Sequence, residues 1–173
     1  MIDYTINVSN LLAIVGGLFA IGKWLYELVQ KYKWERNKYL LENLEDFRSK
    51  ENTKIFHQIL DWNASYVTIE NEKFRINDDL LISALDLHTE RGKFSREELL
   101  LRNTFDRYFD DLSTLHFMVK VGLIDKNHFK TFMKYWFKIL KGDGHKPDIF
   151  GTKIKKYMVY YGYEELYNFI KED

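Results

Sequence analysis

The sequence predicts an all-α protein in which an N-terminal transmembrane helix is followed by a compact cytoplasmic helical bundle. The chain has 173 residues, of which 46% are hydrophobic and 17% aromatic, but only one proline and nine glycines. So few turn-forming residues suit a helical chain better than a β-rich one. A long uncharged stretch near the N-terminus indicates the membrane helix. We divide the chain into residues 1–33, the transmembrane helix with its basic inner flank, and residues 34–173, the helical domain.

Charge and composition exclude several kinds of site. Lys plus Arg and Asp plus Glu each total 26, so no overall electric field attracts nucleic acid. The lack of cysteine excludes disulfides, thiolate metal sites and cysteine nucleophiles, and it is compatible with an intracellular domain. The five histidines do not have the spacing of a zinc signature, and the sequence contains no phosphate-binding glycine loop. The sequence therefore predicts neither a metal nor a cofactor.

The N-terminal stretch is apolar but contains two charges. From Val8 to Gly22 no residue is charged, and a helix of this length covers about 22 Å, less than a hydrocarbon layer of about 30 Å. The apolar character continues to Val29, so the helix can span a bilayer if Lys23 and Glu27 avoid the lipid. Membrane lipid is therefore one expected partner of this chain.

Charged residues on either side of this segment predict its orientation. Only Asp3 precedes it, whereas the basic residues that follow it closely are Lys31, Lys33, Arg36 and Lys38. Because basic residues concentrate on the cytoplasmic side of membrane helices, we expect the N-terminus outside and the bulk of the chain in the cytoplasm. This is the arrangement of a single-pass protein of the bacterial inner membrane. A cleaved signal peptide is the competing interpretation, but its charged n-region is missing.

Small and polar residues recur along the membrane segment at alternating intervals of four and three. We call this set the stripe, and its members are Ser9, Ala13, Gly16, Ala20, Lys23, Glu27 and Gln30. The spacing is the a/d period that keeps one side of a helix against a partner helix, and small residues let membrane helices approach closely. Charged groups in a membrane normally face a bundle interior or a water-filled cavity. The stripe therefore predicts a homo-oligomer with Lys23 and Glu27 turned inward.

Three interpretations of this segment stay open. In a ring of subunits, Lys23 and Glu27 can pair within or between subunits and line the mouth of a pore. Alternatively, the segment is a simple single-pass anchor that ends near Gly22, with both charges already in the cytosol. A helix of a wholly soluble protein is the third interpretation.

The chain after the membrane segment continues with helical patterns. A helix is predicted from about Trp34 to Trp62, with a break around residues 49–52. Residues 66–76 contain β-branched and aromatic side chains, which indicate a short hairpin or an irregular excursion. Asn77 or Asp78 can then cap a helix that runs to about Glu90, before Gly92.

The second half of the domain has clearer helix boundaries. Ser95 and Glu98 have the spacing of a capping box, which predicts a long helix that Gly122 ends. Asp125 can cap the next helix, which we expect to reach about Lys141. Residues 142–151 form the clearest loop, and two shorter helices, near 152–161 and 163–171, complete the predicted bundle.

One pair of residues on the long helix is similar to part of a catalytic motif. Arg102 followed by Asn103 resembles the first half of the motif of HEPN ribonucleases, in which paired all-helical domains join two Arg/His sets. That family cleaves RNA without a metal. Its histidine follows the arginine by five to seven residues, but those positions here hold Arg107, Tyr108 and Phe109.

The remaining histidine candidate lies too far along the helix. His116 comes fourteen residues after Arg102, which corresponds to about 21 Å. One subunit therefore cannot bring the two groups together as an acid/base pair. We expect instead that Arg102 and Arg107 pair with nearby carboxylates, the candidates being Glu98, Asp106, Asp110 and Asp111.

A second candidate for RNA contact lies near the C-terminus. Residues 153–163 interleave three lysines with four tyrosines, a combination that can hold single-stranded RNA by charge and stacking. The helical spacing of the tyrosines favours core packing instead. Direct RNA binding is thus an open prediction.

The complete layout resembles the small membrane accessory protein of type VI-B CRISPR loci. The resemblance rests on the segment 9–38 and on Arg102 with Asn103, and residues 101–137 are also similar to uncharacterised single-pass bacterial proteins. It implies a non-enzymatic, oligomeric membrane pore that strengthens antiphage defence once a partner RNA-guided RNase recognises its target. We therefore favour a pore-forming effector, with a membrane-anchored HEPN-type ribonuclease and a passive membrane adaptor as alternatives.

Overall fold

The computed structural model describes residues 8–61 and 65–172. These residues form seven helices and one two-stranded hairpin, which confirms the predicted all-α fold with a small excursion. The first helix, α1 (Val8–Ser49), has 42 residues, a length of about 63 Å. It crosses the proposed boundary between residues 33 and 34 without interruption.

Only the C-terminal end of α1 belongs to the core of the domain. Leu40, Leu44 and Phe47 are at most 2% exposed, whereas almost every side chain described between residues 10 and 39 is exposed. The helix α2 (Glu51–Asp61) follows after a break at Lys50, where a break was predicted. At this break the Lys50 ammonium donates to the Asp111 carboxylate at 2.7 Å. That hydrogen bond raises the pKa of Lys50 and joins the corner to the centre of the fold.

For residues 66–76 the sequence predicts either a short hairpin or an irregular excursion, and the structure has the hairpin. Strand β1 (Ser65–Ile69) pairs antiparallel with β2 (Glu72–Ile76). Glu70 and Asn71 both have positive φ angles, 51° and 67°, as a two-residue type I′ turn requires.

Helix α3 (Asp78–Ala84) begins as predicted but ends early. The Asn77 side chain accepts a hydrogen bond from the Leu80 amide at 2.8 Å, which confirms the cap. The expected extension to Glu90 is wrong. The carbonyls of Ala84 and Asp86 accept hydrogen bonds from the buried Arg102 side chain, so this segment of chain turns away from the helix.

Helix α4 (Arg96–Lys120) is the central element, and α2, α3 and α7 pack around it. The predicted capping box is present, because Ser95 Oγ accepts from the Glu98 amide and the Glu98 carboxylate accepts from the Ser95 amide. Gly122 ends the helix with a φ of +77°. The core face of α4 is formed by Leu101, Phe105, Tyr108, Phe109 and Leu112.

Three helices complete the bundle: α5 (Lys126–Leu140), α6 (Asp148–Tyr160) and α7 (Glu164–Lys171). The Asp125 carboxylate caps α5 by accepting from the His128 amide at 3.0 Å, as predicted. Helix α6 starts four residues earlier than expected, directly after Pro147, so the loop is shorter than the predicted 142–151. Gly142 and Gly151 approach so closely there that a Cβ on either would lie 2.9 Å from the other's Cα.

Candidate functional site

The most unusual surface of the molecule is the N-terminal part of α1. It exposes large apolar side chains around its circumference, including Leu12, Leu18, Phe19, Trp24 and Tyr26, each at least 60% exposed. By length and composition, α1 is the one helix among the described residues that can cross a membrane. Such an apolar surface is unfavourable in water, so it needs lipid or other protein chains around it.

The stripe lies within this exposed region of α1. We call residues 10–39, whose side chains are almost all exposed, the free part of the helix. The backbone of Ser9 is helical, and its side chain lies outside the described residues. Gly16 has open space around it, since a Cβ atom added there would meet nothing within 4 Å apart from its own helix. Ala13, Ala20 and Gln30 are exposed as well. The stripe is therefore available for contact with another helix, and its role in self-association stays a prediction.

The two charges of the stripe contact each other within one helix. Lys23 Nζ lies 3.8 Å from Glu27 Oε1, and both side chains are about two-thirds exposed, at 67% and 63%. The same i,i+4 arrangement recurs further along α1 between Lys31 and Glu35, also at 3.8 Å. Pairing cancels the net charge of Lys23 and Glu27 but leaves both groups strongly polar, so they still need water or polar partners.

Two contacts fix the direction in which α1 leaves the domain. Arg36 Nη2 lies 4.0 Å from Asp125 Oδ2 at the start of α5. Twelve residues later, Arg48 Nη2 donates to the carbonyl oxygen of Phe132 at 3.4 Å. Helix α5 therefore runs alongside the last part of α1 and in the same direction, with its N-terminus nearer the apolar end of α1.

Arg102 is buried and bonded to backbone carbonyls, whereas the sequence predicts that it pairs with nearby carboxylates. Its side chain is 4% exposed, and Nη1 donates to the carbonyls of Ala84 and Asp86 at 2.7 and 2.6 Å. The guanidinium also stacks over the Phe94 ring, 4.2 Å from its centroid. Among the described residues no carboxylate lies within ion-pair distance of Arg102, so the predicted pairing with neighbouring acids is wrong. Its donors are used to hold the chain between α3 and α4.

His88 and Tyr161 complete this cluster, and sequence reasoning connected neither of them with Arg102. Arg102 Nη2 donates to Tyr161 Oη at 2.5 Å and lies 3.2 Å from His88 Nδ1. Tyr161 Oη also lies 2.5 Å from His88 Nδ1. Because arginine can only donate, His88 Nδ1 is the acceptor in this cluster. The three residues come from α4, the chain before it and the end of α6, so no local sequence pattern joins them.

The other residues of the motif lie apart from this cluster. Asn103 and Arg107 are exposed and line a polar cleft of about 430 Å³ between α2, the hairpin and α4. His116 packs on Phe169, with 4.5 Å between the ring centroids, and burial lowers the pKa of its imidazole. Arg102 and His116 thus have separate surroundings in one subunit, as their spacing predicts.

The lysine and tyrosine segment near the C-terminus is largely engaged within the domain. Tyr157 is fully buried and donates to the Asp106 carboxylate at 2.7 Å, so the core role expected for it is confirmed. Lys153 forms an ion pair with Asp86, and Lys156 lies 3.7 Å from a Glu90 carboxylate oxygen. These contacts reduce the charge that the segment can offer to RNA.

Comparisons with known proteins found no matching family model, curated protein or solved structure. What the described residues define is a helical domain with one long apolar helix that is able to cross a membrane. The function is therefore inferred from the exposed apolar surface of α1 and from the structural role of Arg102, which holds the chain between α3 and α4.

Proposed function

We propose that this protein is an oligomeric membrane effector whose α1 helices pack side by side and surround a water-filled passage. The observation that carries the proposal is the free part of α1, which is apolar around most of its circumference and small or polar along the stripe. Lipid suits the apolar side, whereas the stripe suits contact between copies.

The dimensions of α1 agree with this arrangement. Residues 8–29 cover about 33 Å, slightly more than the hydrocarbon thickness of a bilayer. After Gln30, the nine residues 31–39 precede the first core residue, Leu40, and cover about 13 Å. The start of this short basic stalk lies at headgroup level when the apolar part is inserted, with the domain in the cytoplasm and the N-terminus outside. The bacterial inner membrane is the membrane we propose.

Lys23 and Glu27 decide between a passage and a plain anchor. An ion pair that faces lipid costs several kcal/mol unless it is solvated or finds further partners. In a ring, one edge of the stripe packs against the neighbouring helix and the other edge borders the central axis, where Lys23 and Glu27 of successive subunits are hydrated. A passive adaptor has no such requirement for self-association, so oligomerisation and ion permeation separate the two functions.

The domain supports a non-enzymatic role within this proposal. Arg102 is enclosed, and its donors go to two backbone carbonyls and a tyrosine hydroxyl, so it is poorly placed to bind a phosphate. The biological setting that we propose, antiphage defence beside a type VI-B RNA-guided RNase, comes from the resemblance alone. Activation follows target recognition in that setting, and the outcome is membrane depolarisation.

Two experiments test the proposal at separate levels. Single cysteines introduced by Thr5→Cys and Asn168→Cys in this cysteine-free chain report topology, since only the first should react with an impermeant maleimide in intact cells.

For function, cells that express the protein with its RNase partner should lose membrane potential, measured with a potential-sensitive dye, only when target RNA is present. A dye signal that does not respond to target RNA contradicts the defence setting, and a monomeric protein in detergent contradicts the passage.

A further inference from the structure

The turn between α4 and α5 carries a second apolar surface that the core does not explain. Phe117, Val121 and Leu123 are 61%, 52% and 50% exposed. Phe117 and Val121 lie one helical turn apart on the same side of α4, and Leu123 follows in the turn itself. Three large apolar side chains are thus presented together at one end of the domain.

This turn is firmly built, so the exposure is a property of the fold. Gly122, at φ +77°, donates its amide to the Val119 carbonyl at 3.1 Å, and the Leu123 amide donates to the Met118 carbonyl at 2.9 Å. These are the two hydrogen bonds of a Schellman motif. Ile124 comes next and is only 1% exposed. The backbone therefore anchors the turn through Ile124 while it directs Leu123 outwards.

The same turn lies beside the stalk of α1. Asp125, directly after it, is 4.0 Å from Arg36, and both residues line a crevice of about 230 Å³ with Lys33 and His128. Arg36 comes six residues, or about 9 Å, after the last stripe residue, whereas the headgroup region on each side of a bilayer is about 5–8 Å deep. If α1 is inserted as proposed, the turn lies within side-chain reach of the headgroups.

The charges around the turn suit an anionic lipid surface. Lys120 and Lys126 flank it, and Lys33 and Arg36 approach it from the stalk. The two flanking lysines pair with Glu165 and Glu172 at 2.7 and 2.6 Å, but all four side chains are more than half exposed. Exposed ion pairs of this kind contribute little stability, so a lipid phosphate can replace the carboxylate.

We propose that the α4–α5 turn is a membrane-docking surface, with Phe117, Val121 and Leu123 inserted among anionic headgroups of the bilayer that α1 crosses. Apolar side chains surrounded by lysines are typical of proteins that lie on a membrane surface. This inference rests on the proposed insertion of α1 and adds a second point of contact. Two points of contact with the bilayer fix the tilt of the domain more closely than α1 alone does.

The test uses the full chain in liposomes of phosphatidylcholine and phosphatidylglycerol. An environment-sensitive fluorophore is attached to one cysteine at a time, introduced by Leu18→Cys, Leu123→Cys or Leu99→Cys. Leu18 reports whether α1 is inserted. Leu99 is the matched control, because it is a leucine of similar exposure, 46%, at the other end of α4, about 32 Å from the last residue of that helix, Lys120.

Quenchers on lipid chains and in water then separate the outcomes. We expect lipid-borne doxyl groups to quench the probes at positions 18 and 123, and aqueous iodide to quench the probe at position 99. A lipid-quenched probe at 18 with an iodide-quenched probe at 123 overturns the docking surface and leaves the proposed function intact. A probe at 123 shielded from both quenchers also overturns it, because the surface is then a contact between protein chains. An iodide-quenched probe at 18 overturns both proposals.

Discussion

Lys23 and Glu27 form an ion pair within α1, 3.8 Å apart, and Lys31 and Glu35 repeat it eight residues later. The two pairs have the same spacing and distance but belong to different parts of the helix. The first lies on the stripe within the apolar segment, whereas the second lies on the basic stalk. They therefore provide a matched comparison of charge inside and outside the proposed passage.

Reversal of the negative charge on the stripe should reduce cation permeation. Glu27→Lys places two positive groups per subunit at the passage, and we expect potassium efflux from proteoliposomes to fall about tenfold, since local charge sets the local concentration of ions. Glu35→Lys is the control and should leave efflux close to that of the wild type. Both variants should retain the wild-type oligomer size in light scattering. Equal efflux from Glu27→Lys and the wild type, with assembly intact, identifies the pair as interfacial charges of an ordinary anchor.

A larger residue on the stripe should weaken assembly. Gly16→Leu adds four carbons where we expect a neighbouring helix, and overpacking of this kind costs about 1–3 kcal/mol per contact. Gly22→Leu is the same substitution about 120° around the helix, at a glycine with equally open surroundings in one chain. Light scattering of detergent-solubilised protein should show a smaller particle for Gly16→Leu alone. Identical masses for the two variants contradict the stripe as a contact surface.

Arg102 should matter for stability and not for RNA cleavage. Arg102→Ala leaves the carbonyls of Ala84 and Asp86 without their buried donor, so we expect a loss of about 3 kcal/mol in the free energy of unfolding. His116→Ala, which removes a ring packed against Phe169, should cost less. Thermal melting followed by tryptophan fluorescence measures both. Purified wild-type protein should leave RNA intact, and metal-independent cleavage that both substitutions abolish without unfolding would reverse this assignment.

The sequence predicts the features of the domain that depend on local signals. The caps at Asn77, Ser95 and Asp125 and the stop at Gly122 each need only a few neighbouring residues, and all four are present in the structure. The end of α3 at Ala84 needs a partner eighteen residues further on, the guanidinium of Arg102. No local pattern contains that information, so the predicted helix is about six residues too long.

The candidate site is predictable to the same limited extent. The residues of the stripe recur at regular intervals along a single helix, so the sequence alone identifies them. The His88, Arg102 and Tyr161 cluster cannot, because its members are up to 73 residues apart and meet only after α3, α4 and α6 have packed. Local spacing therefore pairs Arg102 with neighbouring acids, although its real partners are distant carbonyls and a hydroxyl.

His57 should make the stability of the domain depend on pH. Burial, helped by repulsion from Arg48, lowers the pKa of its imidazole to about 4, and the neutral ring stacks on Trp136 with 3.6 Å between centroids. The unfolded chain has a histidine pKa of about 6.5, so it binds the proton first as the pH falls. The stability contributed by His57 is therefore fully present above about pH 6.5 and is lost between about pH 6.5 and 4.

A matched variant isolates this contribution. His57→Phe keeps an aromatic ring beside Trp136 but cannot titrate. Between pH 7 and pH 4, the free energy of unfolding of the wild type should fall by roughly 2 kcal/mol more than that of the variant, a value reduced for the partial exposure of the ring. Melting curves in detergent at several pH values provide the measurement. Parallel pH dependence of the two proteins would show that the imidazole stays uncharged, or equally charged, in both states.

The central claim, that α1 assembles in the bilayer with the stripe towards water, is tested most directly by cysteine reactivity at two neighbouring positions. Ala20 lies on the stripe and Leu18 on the opposite side, at depths that differ by only about 3 Å. Ala20→Cys and Leu18→Cys proteins in liposomes are exposed to a charged thiosulfonate, and the rate of modification is followed by mass spectrometry. We predict that the cysteine at position 20 reacts at least about tenfold faster, because only water admits the charged reagent. Equal rates at the two positions would contradict the claim.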